Sequence, residues 1–462
     1  MYKTIPVRAK FTDKENIFWV SQCSHASSLI NCAIYYIRQA YYSRLEQLEN
    51  ASVTYWRGDE LRCSWKTYKC QTSYLELDKA LKDNPHYKAM AAQSAQQTLK
   101  SVGESITSYN GLVNLYYNQE VNKPSLPRYR KKGGLAAVTF PKQALTLKNG
   151  CFYPSISRET KPHLITEIAL PIPGFIDADC VKEVTIRPRL DQLWIDWVIN
   201  DRQEPIDRNH HLDYTQAWSF DHGGTNWLTG VSTRGKSLII DGRQIKAMNQ
   251  GYCRLVAKYK QGKSNFYWDS NLDRVQRKHN NQMRDAVNKA ARFIINQCLN
   301  DRVGNLVIGW NEGQKNSSNM GKRNNQNFVA IPTGRLIERL KQLGPEYGII
   351  LTITEEAYTS KASFIDGDSL PKYGEKPEGW ETSGERVKRG LYKSRDGHLI
   401  NADCNGSANI MRKVATQLGL TLVEVGRGIL TVPQRIDLFK RLNKSYRKRC
   451  EVRLLVAVAT SV

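Results

Sequence analysis

The sequence has no long apolar run and no paired cysteines. No stretch approaches the roughly 20 apolar residues that a membrane-spanning helix needs, and Met1–Pro6 lacks the apolar core of a signal peptide. We therefore expect a cytoplasmic protein with no membrane partner. The ten cysteines are scattered singly without a Cys-x-x-Cys pair, which indicates isolated reduced thiols instead of disulfides or a zinc site.

Acidic residues are scarce relative to basic ones. The chain of 462 residues has 68 Lys and Arg against 44 Asp and Glu, which gives a formal net charge of +24 and a pI near 9.5. The excess charge is spread over several segments, so the whole molecule attracts polyanions and nucleic acid is the expected partner. A chain of this length should divide into about three domains.

The first half of the sequence combines strand and helix patterns. Apolar residues recur at helical spacing between residues 25 and 115, while short alternating segments precede and follow this region. This order predicts an N-terminal β-barrel that is interrupted by an inserted helical lobe. The predicted bounds are 1–14 and 122–212 for the barrel and 15–121 for the helical lobe.

From residue 217 the pattern changes to that of a mixed α/β domain. Three strands over residues 217–240 suit a meander, a long amphipathic helix follows at 269–298, and two more strands alternate with helices. Three antiparallel strands followed by αβαβα is the order of a ribonuclease-H-like fold, so we predict a multidomain α+β protein. The predicted bounds are 213–360 and 397–425 for this domain, 361–396 for an inserted module and 426–462 for a basic tail.

Two carboxylates occupy positions suited to a metal site. Asp221 ends an apolar strand just before a Gly-Gly turn, and Asp403 lies where the last helix should begin. A nuclease with two divalent metal ions needs such hard oxygen ligands to converge from distant parts of the chain, because the ions clamp both the attacking and the leaving oxygen. This pair fits that requirement.

The segments around these two acids resemble the TnpB family, the RNA-guided nucleases that insertion sequences encode and that are related to miniature type V CRISPR effectors. Residues 220–223 (Phe-Asp-His-Gly) resemble the first RuvC motif of that family, and residues 401–410 (Asn-Ala-Asp-Cys-Asn-Gly-Ser-Ala-Asn-Ile) resemble the third. Segments 308–315, 321–329 and 354–364 resemble one subgroup. In the C-terminal half the resemblance extends to specific sequence motifs. In the N-terminal half it is limited to the order of predicted strands and helices.

The resemblance implies an RNA-guided DNA endonuclease with a RuvC-like site for two Mg²⁺ ions. The implied partners are a structured guide RNA and a target double-stranded DNA with an adjacent motif, in the nucleoid of a prokaryotic cytoplasm. The alternative is a guided DNA-binding protein that does not cut and acts as a repressor or CRISPR-type targeting subunit. A DNA transposase fits less well, because no tyrosine or histidine-pair motif for strand transfer is found. Transposon and CRISPR contexts, and the oligomeric state, stay open.

The third acid departs from the family pattern. The strand at residues 306–311 has no acid where most relatives carry their second RuvC glutamate. Glu312 lies beyond it before a glycine, and we interpret it as a surface residue. Glu355 and Glu356 end the next strand, and a glutamate can span one strand spacing of about 4.8 Å. The alternative is that both are solvated turn residues. We therefore predict these catalytic and metal-binding residues: Asp221, Asp403 and either Glu355 or Glu356.

A second departure concerns the zinc ribbon of the family, in which two Cys-x-x-Cys pairs hold one ion. Other residues stand at these positions here: Ser363, Asp366, Lys393 and Asp396. We therefore expect no zinc, and we predict that 361–396 folds as a small loop or hairpin module. Three aromatic residues are expected to hold it: Tyr373, Trp380 and Tyr392.

Basic residues with interleaved aromatic ones predict nucleic-acid contacts, because the cations bind phosphates while a ring stacks on a base. Each residue alone is equally compatible with an ordinary solvated surface, so the prediction concerns the group. The candidates are Arg128, Tyr129, Arg130, Lys131, Lys132, Arg274, Arg277, Lys278, Arg386, Lys388 and Arg389.

Overall fold

The structure is a computed structural model that describes residues 2–48, 52–57, 60–164, 167–200, 211–311, 331–388 and 390–440. The chain divides into two compact units, Met1–Arg202 and Gln203–Val462. Within the described ranges, no helix has both the length and the apolar composition needed to cross a bilayer. Several parts of the sequence predictions lie outside these ranges: Glu312, Arg389, segment 321–329, residues 201–210 of the predicted barrel and residues 441–462 of the basic tail.

The helices of the first unit are α1 (Asp13–Glu46), α2 (Tyr74–Leu81), α3 (Pro85–Lys88) and α4 (Ala92–Tyr117). A capping box begins α1, because the Thr12 hydroxyl accepts the Glu15 N–H at 3.4 Å while the Glu15 carboxylate accepts the Thr12 N–H at 2.8 Å. Buried apolar residues on α1 and α4 pack these two long helices together. A helical lobe is therefore present between the strands, as the apolar spacing predicts.

The strands of the first unit are β1 (Tyr2–Arg8), β2 (Ser52–Arg57), β3 (Glu60–Trp65), β4 (Val138–Pro141), β5 (Leu145–Lys148), β6 (Cys151–Pro154), β7 (Leu170–Pro171), β8 (Val181–Arg189) and β9 (Gln192–Asn200). Four of them form an antiparallel sheet in the order β1-β9-β8-β4, whereas β5, β6 and β7 form a separate sheet. The predicted closed barrel is therefore wrong for the described residues. Strands β1 and β4 are the two edges of the four-stranded sheet and do not pair with each other. Pro141, which lacks an N–H, ends β4, and a 3₁₀ turn follows at Lys142–Ala144.

The strands of the second unit are β10 (Asp213–His222), β11 (Asn226–Ser232), β12 (Lys236–Asp241), β13 (Val303–Gly309), β14 (Ile350–Thr354), β15 (Glu385–Lys388), β16 (Leu391–Lys393), β17 (Leu399–Asn401) and β18 (Gln434–Ile436). The central sheet has the order β14-β13-β10-β11-β12-β18. Its strands β10, β11 and β12 are antiparallel neighbours, β13 and β14 run parallel to β10, and β18 runs parallel to β12. The predicted meander and the two later strands are present, whereas β18 was not predicted.

The helices of the second unit are α5 (Arg243–Lys260), α6 (Ser270–Asn300), α7 (Thr333–Leu343), α8 (Ala402–Leu418) and α9 (Arg427–Thr431). Alternate residues of β10 pack into two different hydrophobic cores, because successive side chains of a strand point to opposite faces of the sheet. Trp218 and Phe220 pack into the core that includes α6 and α7, whereas Ala217 packs with Ile410 of α8. The central sheet therefore lies between two helical layers.

One helix is absent from the sequence prediction. Only Ile245 and Asn249 of the 18 residues of α5 are buried. Its apolar residues nevertheless recur at intervals of three and four, as in an amphipathic helix: Ile245, Met248, Tyr252, Leu255 and Tyr259. Its sequence also contains no proline and is rich in residues compatible with a helix.

The inserted module contains the antiparallel sheet β15-β16-β17. Tyr392 is fully buried and its hydroxyl donates to the Lys361 carbonyl at 2.8 Å, while Trp380 Nε1 donates to the Ser369 carbonyl at 3.1 Å. Tyr373, by contrast, is 84% exposed. Two of the three aromatic residues therefore anchor the module as predicted, and the expectation for Tyr373 is wrong because its ring projects into solvent.

Hydrogen bonds join the segments that the two cysteine pairs of a zinc ribbon would join. Buried Asp368 accepts the N–H groups of Ser363 at 2.7 Å and Ser383 at 3.0 Å, and also the Ser383 hydroxyl. Asp366 accepts the Arg395 N–H at 3.0 Å. A carboxylate with several donors can thus fix the loops of this module without thiolates.

We expect Asp368→Ala to destabilise the module by about 2 kcal/mol, because the change leaves the buried N–H of Ser363 and the half-buried N–H of Ser383 without an acceptor. Limited proteolysis of the full chain should detect faster cleavage within residues 361–396. Glu378→Ala is the matched control, since Glu378 is an exposed acid in the same segment. Equal cleavage rates for Asp368→Ala and wild type would show that this network does not hold the module.

Candidate metal centre

Asp221 lies at the end of β10, in the middle of the central sheet. It pairs with Thr229 of β11, and the parallel register of Phe220 with Ile308 brings it beside Gly309 of β13. The strands end together at this edge, and α8 begins there, so side chains from distant parts of the chain converge on Asp221. This placement follows from the strand order alone.

Two glycines make room for the carboxylates. A Cβ on Gly406 of α8 would lie 2.8 Å from Oδ2 of Asp221. A Cβ on Gly309 would lie 2.5 Å from Cδ1 of Ile410, 2.8 Å from Cγ of Glu356 and 2.9 Å from its Oε1. None of these distances is compatible with an ordinary side chain. The side chains of Glu356 and Ile410 therefore occupy the volume that a side chain on Gly309 would fill, and Glu356 is the one that lies beside Asp221.

Several hydrogen bonds fix Glu356 in this position. Its N–H donates to Oδ1 of Asn311 at 3.1 Å, and its carbonyl accepts the Thr359 hydroxyl at 2.9 Å. Its Oε1 lies 2.6 Å from Nδ1 of His222, whose side chain is 4% exposed. A proton on Nδ1 would donate to the carboxylate and orient it. The ligand-type atoms of Asp221, His222 and Glu356 all lie within 4.8 Å of one another.

Asp403 approaches the same point from the first turn of α8. Asn401 caps this helix, because its Oδ1 accepts the N–H groups of Asp403 at 3.0 Å and of Cys404 at 3.1 Å. The Asp403 carboxylate accepts from Nδ2 of Asn226 at 2.7 Å, and Arg386 contacts it at 3.4 Å. Asp403 thus lies outside the compact group of three but close enough to influence it electrostatically.

The carboxylates at this site repel one another. Burial raises the pKa of Asp221 well above its ordinary value, and the nearby carboxylates of Glu356 and Asp403 raise it further. The Arg386 guanidinium acts in the opposite direction without cancelling the effect. A divalent cation would offset this repulsion, and the carboxylate oxygens with one imidazole nitrogen are donors that Mg²⁺ or Mn²⁺ accepts.

Glu355 points away from Asp221. Its carboxylate forms an ion pair with Lys413 at 2.8 Å and accepts the Tyr373 N–H at 3.2 Å. Burial acts to raise the pKa of Glu355, but these hydrogen bonds lower it below the ordinary value. Of the two adjacent candidates, the structure brings Glu356 to Asp221 and gives Glu355 a different partner.

Sequence reasoning assigned no role to His222, Asn226 or Asn311. Their proximity in the sequence to Asp221 and to the acid-free strand was the available signal. Only the fold shows that Asn226 contacts Asp403 and that Asn311 contacts Glu356.

The residues predicted to bind nucleic acid lie largely at the surface. Residues 128–132 are all exposed, and Arg38 lies 5.4 Å from the ring of Tyr129. Arg274 and Lys278 are exposed on α6 and Arg277 is half-buried, while Arg386 and Lys388 are exposed on β15. Arg386 is the member of the group that the structure places at the acidic cluster.

Comparisons with known proteins give one family match. A family model described as a probable transposase (OrfB_IS605) matches residues 204–314, a segment that includes Asp221 and ends before Glu356 and Asp403. A comparison with curated proteins gives no match.

The chain is similar to many solved structures, two of which are described here. The first is described as "Cryo-EM structure of the Cas12f1-sgRNA-target DNA complex", with 12% identity, a TM-score of 0.48, and coverage of 87% of this chain and 83% of that chain. The second is described as "Cryo-EM structure of CRISPR-Cas12f Ternary Complex", with 13% identity, a TM-score of 0.31, and coverage of 87% and 82%. The family match around Asp221 and the motif around Asp403 together show that the protein is TnpB-like.

Proposed function

We propose that the protein is an RNA-guided DNA endonuclease whose cutting centre consists of Asp221, Glu356 and Asp403. The observation that carries this proposal is the position of Glu356, whose carboxylate fills the space beside Asp221 that Gly309 leaves open. The likeness to TnpB and the net charge of +24 support a nucleic-acid substrate.

The central sheet supports a nuclease of the RuvC type. The order β14-β13-β10-β11-β12, with three antiparallel strands followed by two parallel ones, is the order of ribonuclease-H-like domains. In such a domain the acids lie at the edge where β10 ends, which is where Asp221 and Glu356 lie close together, with Asp403 near enough to influence Asp221 electrostatically. This fold-level likeness is an analogy, and the acidic cluster itself is the chemical argument.

The proposed site would hold two Mg²⁺ ions, which supply water activation and stabilisation of the leaving 3′ oxygen. The chain's own residues orient the ligands for this task. His222 aligns Glu356, Asn226 aligns Asp403, and Gly406 admits Asp221 against α8. Arg386 is 44% exposed, so its guanidinium can contact a phosphate of the DNA strand while it remains beside Asp403.

Target choice would depend on a guide RNA. Base pairing between guide and target selects the sequence, while the protein binds backbone phosphates and a short motif beside the target. The exposed basic segment 128–132, with Tyr129 among its cations, is suited to phosphate contacts and stacking.

Of the predictions that follow from the proposed function, the first separates the two adjacent glutamates. Asp221→Ala, Asp403→Ala and Glu356→Ala should each lower cleavage of a matched DNA target in Mg²⁺ by about 10²-fold or more while target binding survives, because each removes one ligand of a cooperating site. Cleavage should be measured as single-turnover rates with the guide-loaded protein.

Glu355→Ala is the matched control and should retain most activity, because Glu355 pairs with Lys413 instead. Severe loss in Glu355→Ala together with normal cleavage in Glu356→Ala would refute the assignment. A wild-type protein that binds target but does not cut in any divalent metal would instead be the guided DNA-binding protein.

The second prediction concerns the volume that Glu356 shares with position 309. Glu356→Gly should abolish cleavage. The double variant Gly309→Glu with Glu356→Gly, made in an Ile410→Val background because Cδ1 of Ile410 lies 2.5 Å from a Cβ at position 309, should regain a measurable part of it, since it returns a carboxylate beside Asp221 from β13. Gly309→Glu alone should lose activity, because two side chains compete for one space. A folded double variant that is as inactive as Glu356→Gly would disprove the shared position.

The third prediction uses stability as its measurement. The pKa of Asp221 is raised in the folded state, so this group favours the folded state most at low pH, where the carboxyl is protonated. Its contribution to the free energy of unfolding falls as the pH rises from the ordinary aspartate pKa through the raised value. At neutral pH in EDTA, Asp221→Asn should therefore raise Tm by about 2–4 °C, the change that roughly 1 kcal/mol produces in a domain of this size.

Mg²⁺ should raise the Tm of the wild type and have less effect on Asp221→Asn, because only the wild type gains relief of the acidic repulsion. Differential scanning calorimetry with Glu355→Gln as control measures both. Identical Mg²⁺ responses in wild type and Asp221→Asn would argue against metal binding at this site.

A further inference from the structure

A helical arm in the second unit carries basic charge that the metal centre does not use. We define the arm as α5, the loop 261–269 and the first part of α6, residues 270–282. Helix α5 has no acidic residue and five basic ones: Arg243, Lys246, Arg254, Lys258 and Lys260. The two helices pack together through Tyr252, whose ring stacks on His279 at 4.3 Å, and Asn249, whose Oδ1 lies 2.7 Å from His279 Nε2.

The arm extends past the edge of the sheet where Asp221 lies. Helix α6 has 31 residues, about 46 Å at 1.5 Å per residue, but its packing on the core begins only at Met283. It ends just before β13, which runs from there toward Gly309, so the free part of α6 lies beyond the Asp221 end. Helix α5 starts from the same end, because the Gly242 N–H donates to the Thr225 carbonyl at 2.9 Å.

The tip of the arm, residues 263–268, presents aromatic rings among cations. Phe266 is 97% exposed and Trp268 is 45% exposed. Lys263 Nζ lies 3.8 Å from the ring centre of Tyr267, and Lys260 Nζ lies 5.4 Å from that of Trp268. The exposed ring of Phe266 with ammonium groups near it suits a ligand that is both planar and anionic.

The tip has a defined conformation. Trp268 Nε1 donates to Asp273 at 2.7 Å, the Tyr267 hydroxyl donates to Asp269 at 2.9 Å, and Lys260 Nζ donates to the Asn265 carbonyl at 2.9 Å. These bonds fix the residues around Phe266, whereas the Phe266 ring itself stays exposed to solvent. A ring held out in this way is already organised for stacking and loses little freedom on binding.

We propose that this tip binds unpaired DNA: Phe266 stacks on a base, and Lys260 and Lys263 contact the flanking phosphates. Bases within a duplex already cover one another's faces, so only a single strand offers a face to Phe266. The assignment to DNA rests on the proposed function, because guide pairing displaces one strand of the target. The arm would then hold the strand near the edge at which Asp221, Glu356 and Asp403 lie.

Binding of short oligonucleotides to the full chain in EDTA tests this inference without any cleavage. Phe266→Ala should weaken binding of single-stranded DNA by about tenfold, the usual size of one lost base stack, while Phe266→Trp stays near wild type. Lys263→Gln should lower the salt dependence of binding by about one phosphate contact. Phe175→Ala is the matched control, because Phe175 is 71% exposed in the first unit, close in sequence to Asp177 and Asp179.

A single-stranded DNA containing 5-iodouracil should crosslink to the tip under ultraviolet light, as located by mass spectrometry. Equal affinities of wild type and Phe266→Ala, or an equal loss on duplex DNA, would overturn the inference, and so would a loss confined to RNA or crosslinks confined to a protein partner. A wild type that never cuts in Mg²⁺, combined with weaker single-strand binding by Phe266→Ala, would refute the endonuclease and leave the stacking tip in place.

Discussion

The close approach of α8 and of the segment after β14 to the end of β10 is the constraint on which the candidate site depends. Gly406 lets the backbone of α8 approach Asp221, and Gly309 leaves the adjacent volume to Glu356. Next to Gly406, the hydroxyls of Ser219 on β10 and Ser407 on α8 form a hydrogen bond of 3.0 Å. The contact between β10 and α8 is therefore made by small residues. Larger side chains here would separate the helix from the strand and with it Asp403 from Asp221.

What the sequence could predict depended on how regular the local pattern was. The helix over Thr333–Leu343 and the three strands around Asp221 have strong periodicity, and the structure has them at these places. Helix α5 was not among the predicted elements, although Ile245, Met248 and Tyr252 have helical spacing. The barrel was wrong because strand periodicity gives no information on which edges pair, and β18 was missed because three residues carry too little pattern.

The choice between Glu355 and Glu356 shows where sequence reasoning about the site stops. Both residues follow the end of β14 at Thr354, so the alternation of a strand no longer decides which one faces Asp221. Their environments decide it: Lys413 of α8 attracts Glu355, whereas Asn311 and His222 hold Glu356. These partners are distant in sequence, and only the folded chain brings them to the two acids.

Glu356 lies beyond the end of β14, yet its side chain fills space beside position 309 of β13. Strands β13 and β14 are neighbours with Gly309 opposite Thr354, so an acid two residues beyond Thr354 can reach the volume beside Asp221 that an acid at position 309 would occupy. The cost is that Glu356 stands on a loop, which is less rigid than a strand. The hydrogen bonds of Glu356 with Asn311, Thr359 and His222 compensate for that loss, and a site with precise ligand positions needs such support.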